Sequence, residues 1–227
     1  MSRHLEREIT KLKKKILKLG RAVEESITNA VLSIKNRDAA LARKVILNDI
    51  EIDKMEVNTE EECLKILALH QPVAIDLRFI IGVLKMNSDF ERMADLASNI
   101  AERSLDLAEH KRKVEVPKDI FTMAEKVKAI VEKSMKSMIN MSSAMSREVC
   151  NDDDEIDELH KKIFADGKIV MSNDKTKIET TTLILSISRY LERIADHATN
   201  IAEDVVYMVE GIIHRHVYKF QKEASKE

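Results

Sequence analysis

One twelve-residue stretch occurs twice in this sequence and decides how the chain is organised. Residues 91–102 read ERMADLASNIAE and residues 192–203 read ERIADHATNIAE, so only three of the twelve positions differ. A shorter match follows the same arrangement, because EID at residues 51–53 recurs at residues 155–157. Self-similarity at a nearly constant separation indicates two copies of one structural unit.

The composition is typical of a helical protein. Charged residues make up 34% of the chain and hydrophobic residues 44%, whereas its 227 residues include only 4 glycines and 2 prolines. Few residues that favour turns, together with many charges, indicate long helices with wide solvated faces. The sequence therefore predicts an all-α fold.

Helix-capping signals divide the chain into six long helices. Both prolines stand where a helix is expected to begin, and Asp38 and Ser142 are suitable N-caps for the periodic runs that follow them. The predicted helices cover residues 3–36, 38–69, 72–112, 117–141, 143–172 and 176–219. Short connections make consecutive helices antiparallel neighbours. With the repeat, this predicts two tandem three-helix bundles, residues 1–115 and 116–227.

Charge and hydropathy argue against several classes of protein. The chain has 38 basic and 40 acidic residues, so it lacks the basic surplus that marks most nucleic-acid-binding proteins. No stretch approaches the roughly 18 apolar residues of a membrane-spanning helix, and the charged N-terminus does not resemble a secretion signal. Cys63 and Cys150 form no paired motif, which favours a reducing compartment. We therefore expect a cytoplasmic protein.

Acidic residues recur at a spacing of four on the second and third helix of each unit. They are Asp49, Asp53, Glu91 and Asp95 in the first unit, and Asp153, Asp157, Glu192 and Asp196 in the second. Residues four apart lie on the same face of a helix. On a helical wheel the first stripe continues through Asn99 and Glu102, beside the apolar stripe that faces the core. Asn200 and Glu203 are their counterparts in the second unit.

These acidic stripes need a compensating charge. Like charges at this spacing destabilise a helix by a few tenths of a kcal/mol, and two pairs on adjacent helices repel further. A bound cation is the simplest compensation, and carboxylate and amide oxygens suit Mg²⁺, Mn²⁺, Ca²⁺ or iron better than zinc. Two alternatives remain open. The acids can be ordinary solvated surface, and the neighbouring Arg92 and Arg193 can neutralise them without a metal.

At these residues the sequence resembles the PhoU family, whose hallmark is a pair of (E/D)xxxD motifs in each of two three-helix bundles. The eight acids supply all four motifs. Residues 74–78, AIDLR, are similar to the family's DLR segment, and residues 190–201, YLERIADHATNI, are similar to its second signature. The second unit departs from the first, because Lys177-Ile178-Glu179 replaces Asp76-Leu77-Arg78. Equal partner binding by both bundles is therefore not implied.

The resemblance implies a regulator without catalytic activity. PhoU proteins lower phosphate uptake and phosphate-regulon signalling when phosphate is plentiful. The resemblance implies that they do so by contacting the phosphate ABC transporter ATPase and the sensor histidine kinase, so that the chain reaches the membrane only through partners. It also implies that the motif acids bind iron, zinc, magnesium or manganese and that Arg78 contacts a partner. Elongated bundles favour pairing, so a homodimer is expected, although no residue of the sequence shows one.

Two other functions compete with this interpretation. A ferritin-like carboxylate oxidase uses Glu-x-x-His on helices of a four-helix bundle, but none of the seven histidines here follows a glutamate at that spacing. A helical adaptor without metal keeps the same fold and makes the acids ordinary surface. Metal content separates this adaptor from a metal-dependent regulator.

Overall fold

The computed structural model describes residues 3–110 and 114–212 and confirms an all-α fold of two tandem three-helix bundles. The helices are α1 (Arg3–Asn36), α2 (Ala39–His70), α3 (Ala74–Glu109), α4 (Lys118–Asn140), α5 (Ser143–Asn173) and α6 (Ile178–Glu210), with one 3-10 turn, Lys175–Lys177, before α6. Helices α1–α3 pack into one bundle and α4–α6 into the other. The division of the chain after residue 115 stays a prediction.

The predicted bounds of four helices agree with the structure to within one residue, and those of α3 and α6 do not. Helix α3 begins at Ala74 rather than at residue 72, because Gln71 adopts a left-handed conformation (φ 44°) and Val73 an extended one. It ends at Glu109, and the predicted end at residue 112 lies outside the described residues. Helix α6 ends at Glu210 because Gly211 takes a φ of 73° and caps it. Residues 213–219 of that prediction also lie outside the described part.

The hairpins between α1 and α2 and between α4 and α5 are built alike. Asp38 accepts a hydrogen bond from the Leu41 N–H at 2.9 Å, and Ser142 accepts one from the Met145 N–H at 3.3 Å, so both predicted N-caps are confirmed. Each cap also donates its own backbone N–H to a carbonyl five residues earlier, at 2.9 and 3.0 Å. These bonds close the preceding helix and reverse the chain within two residues.

The apolar faces of the six helices meet in one continuous core. Ile16 of α1 and Phe90 of α3 are fully buried in it, and burying a side chain of this size stabilises the fold by about 1.5–3 kcal/mol. Gly20 lies where α1 meets α3 and α4. A Cβ at Gly20 would stand 3.0 Å from Phe90 Cζ and 2.8 Å from Met135 Cε, so the absence of a side chain permits this approach.

Helices α3 and α6 join the two bundles and run antiparallel, since Gly82 lies beside Met208 and Asp89 beside Asn200. Gly82 of α3 permits close contact with Met208 of α6, because a Cβ there would stand 2.5 Å from Met208 Sδ. Lys85 of α3 forms an ion pair with the buried Asp204 of α6 at 3.2 Å. The two three-helix units are therefore held together by both packing and charge.

None of the helices in residues 3–110 and 114–212 is long and apolar enough to cross a membrane. Cys63 and Cys150 are both buried free thiols. Burial raises the pKa of the Cys63 thiol to about 12, so this side chain stays protonated and packs as a small apolar group.

Candidate metal centre

Three carboxylates converge between α2 and α3. Asp49 and Asp53 lie one turn apart on α2, and Asp95 reaches them from α3, so that one oxygen of each lies within 4.8 Å of the others. Their neighbours Ile52 and Ala94 are fully buried, which holds the two helices in contact at this level. The structure thus brings together three of the four acids predicted for the first site.

The cluster is electrostatically unfavourable without a compensating charge. Burial raises the pKa of Asp49 to about 6, and the charges of Asp95 and Asp53 act in the same direction. The nearby Ser98 hydroxyl acts in the opposite direction, but the pKa of Asp49 remains raised. Burial and the charge of Asp53 also raise the pKa of Asp95. Asp49 and Asp95 therefore resist ionisation beside Asp53.

The chemistry of these donors fits a hard cation. Oδ1 of Asp49 is buried, and the described residues supply it with no hydrogen-bond donor. A buried acceptor in this state costs about 1–3 kcal/mol, which a cation ligated by that oxygen would offset. The donors are all carboxylate oxygens, with no thiolate or imidazole among them, as Mg²⁺, Mn²⁺, Ca²⁺ or iron prefers.

Glu91, the fourth acid of the first site, lies beside the cluster rather than within it. Burial raises the pKa of Glu91, followed by the charges of Asp95 and Asp53. Arg92 acts in the opposite direction, but the pKa remains raised. Arg92 therefore offsets the repulsion on Glu91 only in part.

The second unit holds its acids in a more open arrangement. Burial raises the pKa of Glu192, and the charges of Asp196 and Asp157 raise it further, whereas the neighbouring arginines oppose them only in part. Asp153 lies one turn before Asp157 on α5 and is half-buried. Within residues 114–212, however, no three carboxylates approach one another as closely as the first cluster does. The two sites have the same residue types at equivalent positions, but their geometries differ.

Both halves of the chain match one known protein family. The PhoU domain family model matches the chain twice, over residues 16–104 and 120–205. The chain belongs to the PhoU family. It is 36% identical over 216 residues to a phosphate-specific transport system accessory protein PhoU homolog of Aquifex aeolicus, covering 95% of this chain and 97% of that protein. It is 35% identical over 208 residues to PhoU homolog 1 of Thermotoga maritima, covering 92% and 90%.

Two solved PhoU structures share the whole architecture. The crystal structure of PhoU from Pseudomonas aeruginosa superposes with a TM-score of 0.88 at 32% identity and covers 91% of this chain and 99% of that one. The phosphate transport system regulatory protein PhoU from Streptococcus pneumoniae superposes with a TM-score of 0.83 at 27% identity, with coverage of 92% and 98%. The resemblance read from the sequence is confirmed.

Four residues predicted to extend the PhoU acid stripes lie outside the three-carboxylate cluster. Glu102 is exposed and accepts a hydrogen bond from the next arginine at 3.1 Å. Asn200 donates to Asp89 Oδ1 at 3.4 Å, so its amide points towards α3. Asn99 and Glu203 are half-buried. The role of these four residues as additional ligands stays a prediction.

One polar residue on α3 that the sequence did not single out holds α2 beside the PhoU motif. Asn87 is buried and donates to the Glu56 carbonyl at 2.9 Å and to Glu56 Oε1 at 2.8 Å. An isolated asparagine among the buried residues of a helix indicates a hydrogen bond to another helix. The spacing of residues along the sequence does not show which residue is its partner.

A polar contact between the two PhoU bundles also escaped the sequence analysis. His197 Nδ1 and Asp89 Oδ1 lie 2.8 Å apart, with both side chains largely buried. Asp89 stands two residues before Glu91, and His197 directly follows Asp196. The contact therefore joins the sequence neighbours of the two predicted sites.

The DLR segment and its counterpart differ in their surroundings. Arg78 is half-buried, and its Nε donates to the Met208 carbonyl at 3.4 Å, so the first segment packs on the end of α6. Lys177 and Glu179 of the second segment are exposed. The structure thus gives Arg78 a contact between bundles, and its contact with a partner stays a prediction.

Proposed function

We propose that this chain is an accessory regulator of phosphate-specific transport. It lowers phosphate uptake and phosphate-regulon signalling through metal-dependent contacts with the phosphate ABC transporter ATPase and the sensor histidine kinase. The observation that carries the proposal is the three-carboxylate cluster joining α2 to α3, in a chain whose relatives are named as accessory proteins of that transport system. The proposal assigns the chain no catalytic step and places it at the cytoplasmic face of the membrane, held there by its partners.

The motif carboxylates determine how firmly α2 is held against α3. When ionised, they repel one another across the helix pair, while the buried residues beneath them keep the helices in contact. A divalent or trivalent cation bound there would cancel the repulsion. The residues that would hold it are Asp49, Asp53, Glu91 and Asp95 in the first bundle, and Asp153, Asp157, Glu192 and Asp196 in the second. With the repulsion cancelled, the helix pair keeps one spacing and presents a fixed surface to a partner.

The proposal is tested by metal content and partner binding measured on the same samples. The protein is purified without chelator, analysed by mass spectrometry for bound metals, and tested for capture of the transporter ATPase and of the kinase. One variant removes one acid from each motif: Asp49→Ala, Glu91→Ala, Asp153→Ala and Glu192→Ala. A matched control carries Glu51→Ala and Glu155→Ala, at repeat-equivalent exposed positions on α2 and α5 that pair with lysines.

We expect one or more metals per bundle and capture of at least one partner by the wild-type chain and the control. The motif variant is expected to lose both. Partner capture without metal, even after incubation with Mn²⁺, Fe²⁺ or Mg²⁺, would contradict the proposal and leave the metal-free helical adaptor. Metal binding without capture of either partner would contradict the regulatory role while leaving the metal sites in place.

A further inference from the structure

A cavity of about 570 Å³ lies at the end of the second bundle where α5 is followed by α6. Its lining includes Ile163 and Gly167 of α5, Thr181 and Ile184 of α6, and Pro117 just before α4. None of the eight motif acids lines it. Ligand sites in proteins have volumes of about 300–1,000 Å³, so this cavity is large enough for a small organic molecule.

The first bundle carries larger side chains at the equivalent positions. The repeat relates α1 to α4 and α2 to α5 as Asn36 is related to Asn140, and it relates α3 to α6 as Glu91 is related to Glu192. By these offsets three buried residues of the first bundle correspond to smaller or more polar residues that line the cavity. The pairs are Cys63 and Gly167, Phe79 and Thr180, and Ile80 and Thr181.

Helix α4 is also shorter than its counterpart α1. It begins at Lys118, which corresponds to Lys14, whereas α1 begins at Arg3. The additional turns of α1 bury Leu5 and Leu12 in the core. At the corresponding end of the second bundle the linker residues 114–117 are not helical, and the cavity lies between them, α5 and α6. The cavity is therefore a specific difference between two otherwise similar units.

The charged residues around the cavity are mostly acidic. Asp119 forms an ion pair with Lys162 at 2.7 Å, whereas Asp166 forms no ion pair with any described residue. A positively charged occupant is therefore favoured over a negatively charged one. The charged lining residues are Glu115, Asp119, Asp166, Asp174 and Lys177.

The first bundle shows which group the second one lacks. Lys15 of α1 forms an ion pair with Glu62 of α2 at 3.0 Å. The repeat places Asp119 at the position of Lys15 and Asp166 at that of Glu62. The second bundle thus keeps the carboxylate and has lost the ammonium group that its counterpart supplies.

Thr181 provides an independent indication of a ligand. It is only 7% exposed and lines the cavity, and no described residue forms a hydrogen bond with its hydroxyl. Its counterpart Ile80 has no such group to satisfy. A buried hydroxyl without a partner is unfavourable, and a bound molecule with a polar group would supply the missing hydrogen bond.

We propose that this cavity binds a small organic ammonium ion with an apolar body. The ammonium group lies beside Asp166, where the first bundle has the Lys15–Glu62 ion pair. The apolar body fills the space that larger side chains such as Phe79 fill in the first bundle, and a polar atom of the ligand bonds to the Thr181 hydroxyl.

The absence of tryptophan from the chain permits a direct binding test, because the fluorescence of an indole ligand has no tryptophan background. Tryptamine, an arylethylammonium ion, is titrated with the full chain in EDTA while its fluorescence anisotropy is measured. Indole-3-propionate, an anion of similar size, is the comparison. We expect saturable binding of one tryptamine per chain, at least about tenfold tighter than that of indole-3-propionate.

Two variants test the site itself. Asp166→Asn is expected to weaken tryptamine binding about tenfold, and the matched control Glu155→Gln, an exposed ion-paired carboxylate of the same helix, to leave it unchanged. Thr180→Phe combined with Thr181→Ile introduces the residues of the first bundle. This variant is expected to abolish binding and to raise the melting temperature, because the new side chains fill the cavity with apolar groups. Circular dichroism of each variant checks that the helices remain folded.

Three results would overturn the proposal: no saturable binding of tryptamine, equal binding of indole-3-propionate, or undiminished binding by either cavity variant. The basic residues 111–113 directly precede the linker in the sequence, and occupation of the cavity by one of their side chains would give the first of these results. The outcome is separate from that of the metal and partner assays, because EDTA is present and no variant alters a motif acid.

Discussion

Neutralising Asp49 is expected to stabilise the metal-free protein, although it removes a residue of the proposed metal site. The pKa of Asp49 in the folded chain is raised from 3.8 to about 6, first by burial and then by the charges of Asp95 and Asp53. A difference of about 2 pKa units corresponds to roughly 3 kcal/mol of unfavourable free energy when the group is ionised. Asp49 is only half-buried, and solvent screening reduces this to about 1–2 kcal/mol.

The pH dependence of this effect has a definite sign. Because the pKa of Asp49 is higher in the folded than in the unfolded chain, the folded state binds its proton more tightly. The stability that protonation contributes is fully present below about pH 4 and is lost as the pH rises through about 6. Asp49→Asn should therefore exceed the wild type in stability at pH 7.5 and match it near pH 4.

The assay is urea denaturation followed by circular dichroism, in EDTA and again in Mn²⁺. At pH 7.5 in EDTA we expect Asp49→Asn to raise the free energy of unfolding by about 1–2 kcal/mol, or the melting temperature by about 2–8 °C. In Mn²⁺ the order should reverse, because the wild type gains binding energy that the variant lacks. Glu51→Gln is the control: it removes an exposed, ion-paired carboxylate from the same helix and should change stability by less than about 0.5 kcal/mol in either buffer.

Loss of stability in the Asp49→Asn variant at pH 7.5 in EDTA would refute this reasoning. It would mean that the Asp49 carboxylate is satisfied by its surroundings, so that no compensating cation is needed. A gain in EDTA with no reversal in Mn²⁺ would show that repulsion exists but that Mn²⁺ does not relieve it.

Three further predictions concern the fold. Phe90→Ala leaves a cavity in the core and should lower the free energy of unfolding by about 3–5 kcal/mol in urea denaturation; a loss below 1 kcal/mol would mean that the core collapses around it. Asp204→Ala removes the buried partner of Lys85 and should lower the free energy of unfolding by about 2–3 kcal/mol. Adding Lys85→Met should recover most of this loss, and a double-mutant cycle without such recovery would refute the pairing. Asp38→Ala and Ser142→Ala should each lower the free energy of unfolding by about 1 kcal/mol, as measured by thermal melting. Markedly unequal losses would contradict the equivalence of the two hairpins.

The local features of the fold were predictable because short-range physics sets them. Asp38 and Ser142 cap the helices that follow them, as their side chains indicated. The exceptions were helix boundaries. The left-handed Gln71 and the extended Val73 delay the start of α3, and the left-handed Gly211 ends α6; the sequence offered a signal only for the glycine.

The metal centre was predictable in its residues but not in its shape. The spacing of four put Asp49 and Asp53 on one face of α2 whatever the rest of the chain did. Whether Asp95 or Glu91 reached them depended on the rotation of α3 about its axis. That rotation is fixed by packing, and it favours Asp95 in the first bundle.

The sequence by itself determined the number of helices, the duplication of the three-helix unit and the acids that each unit presents. A helical period and a repeat can both be read from the linear order of residues. The tertiary structure alone decided which acids converge and that His197 and Asp89 join the bundles. These outcomes depend on distances and rotations between helices, which arise from many weak packing contacts summed over the whole core. No local sequence pattern specifies these distances and rotations.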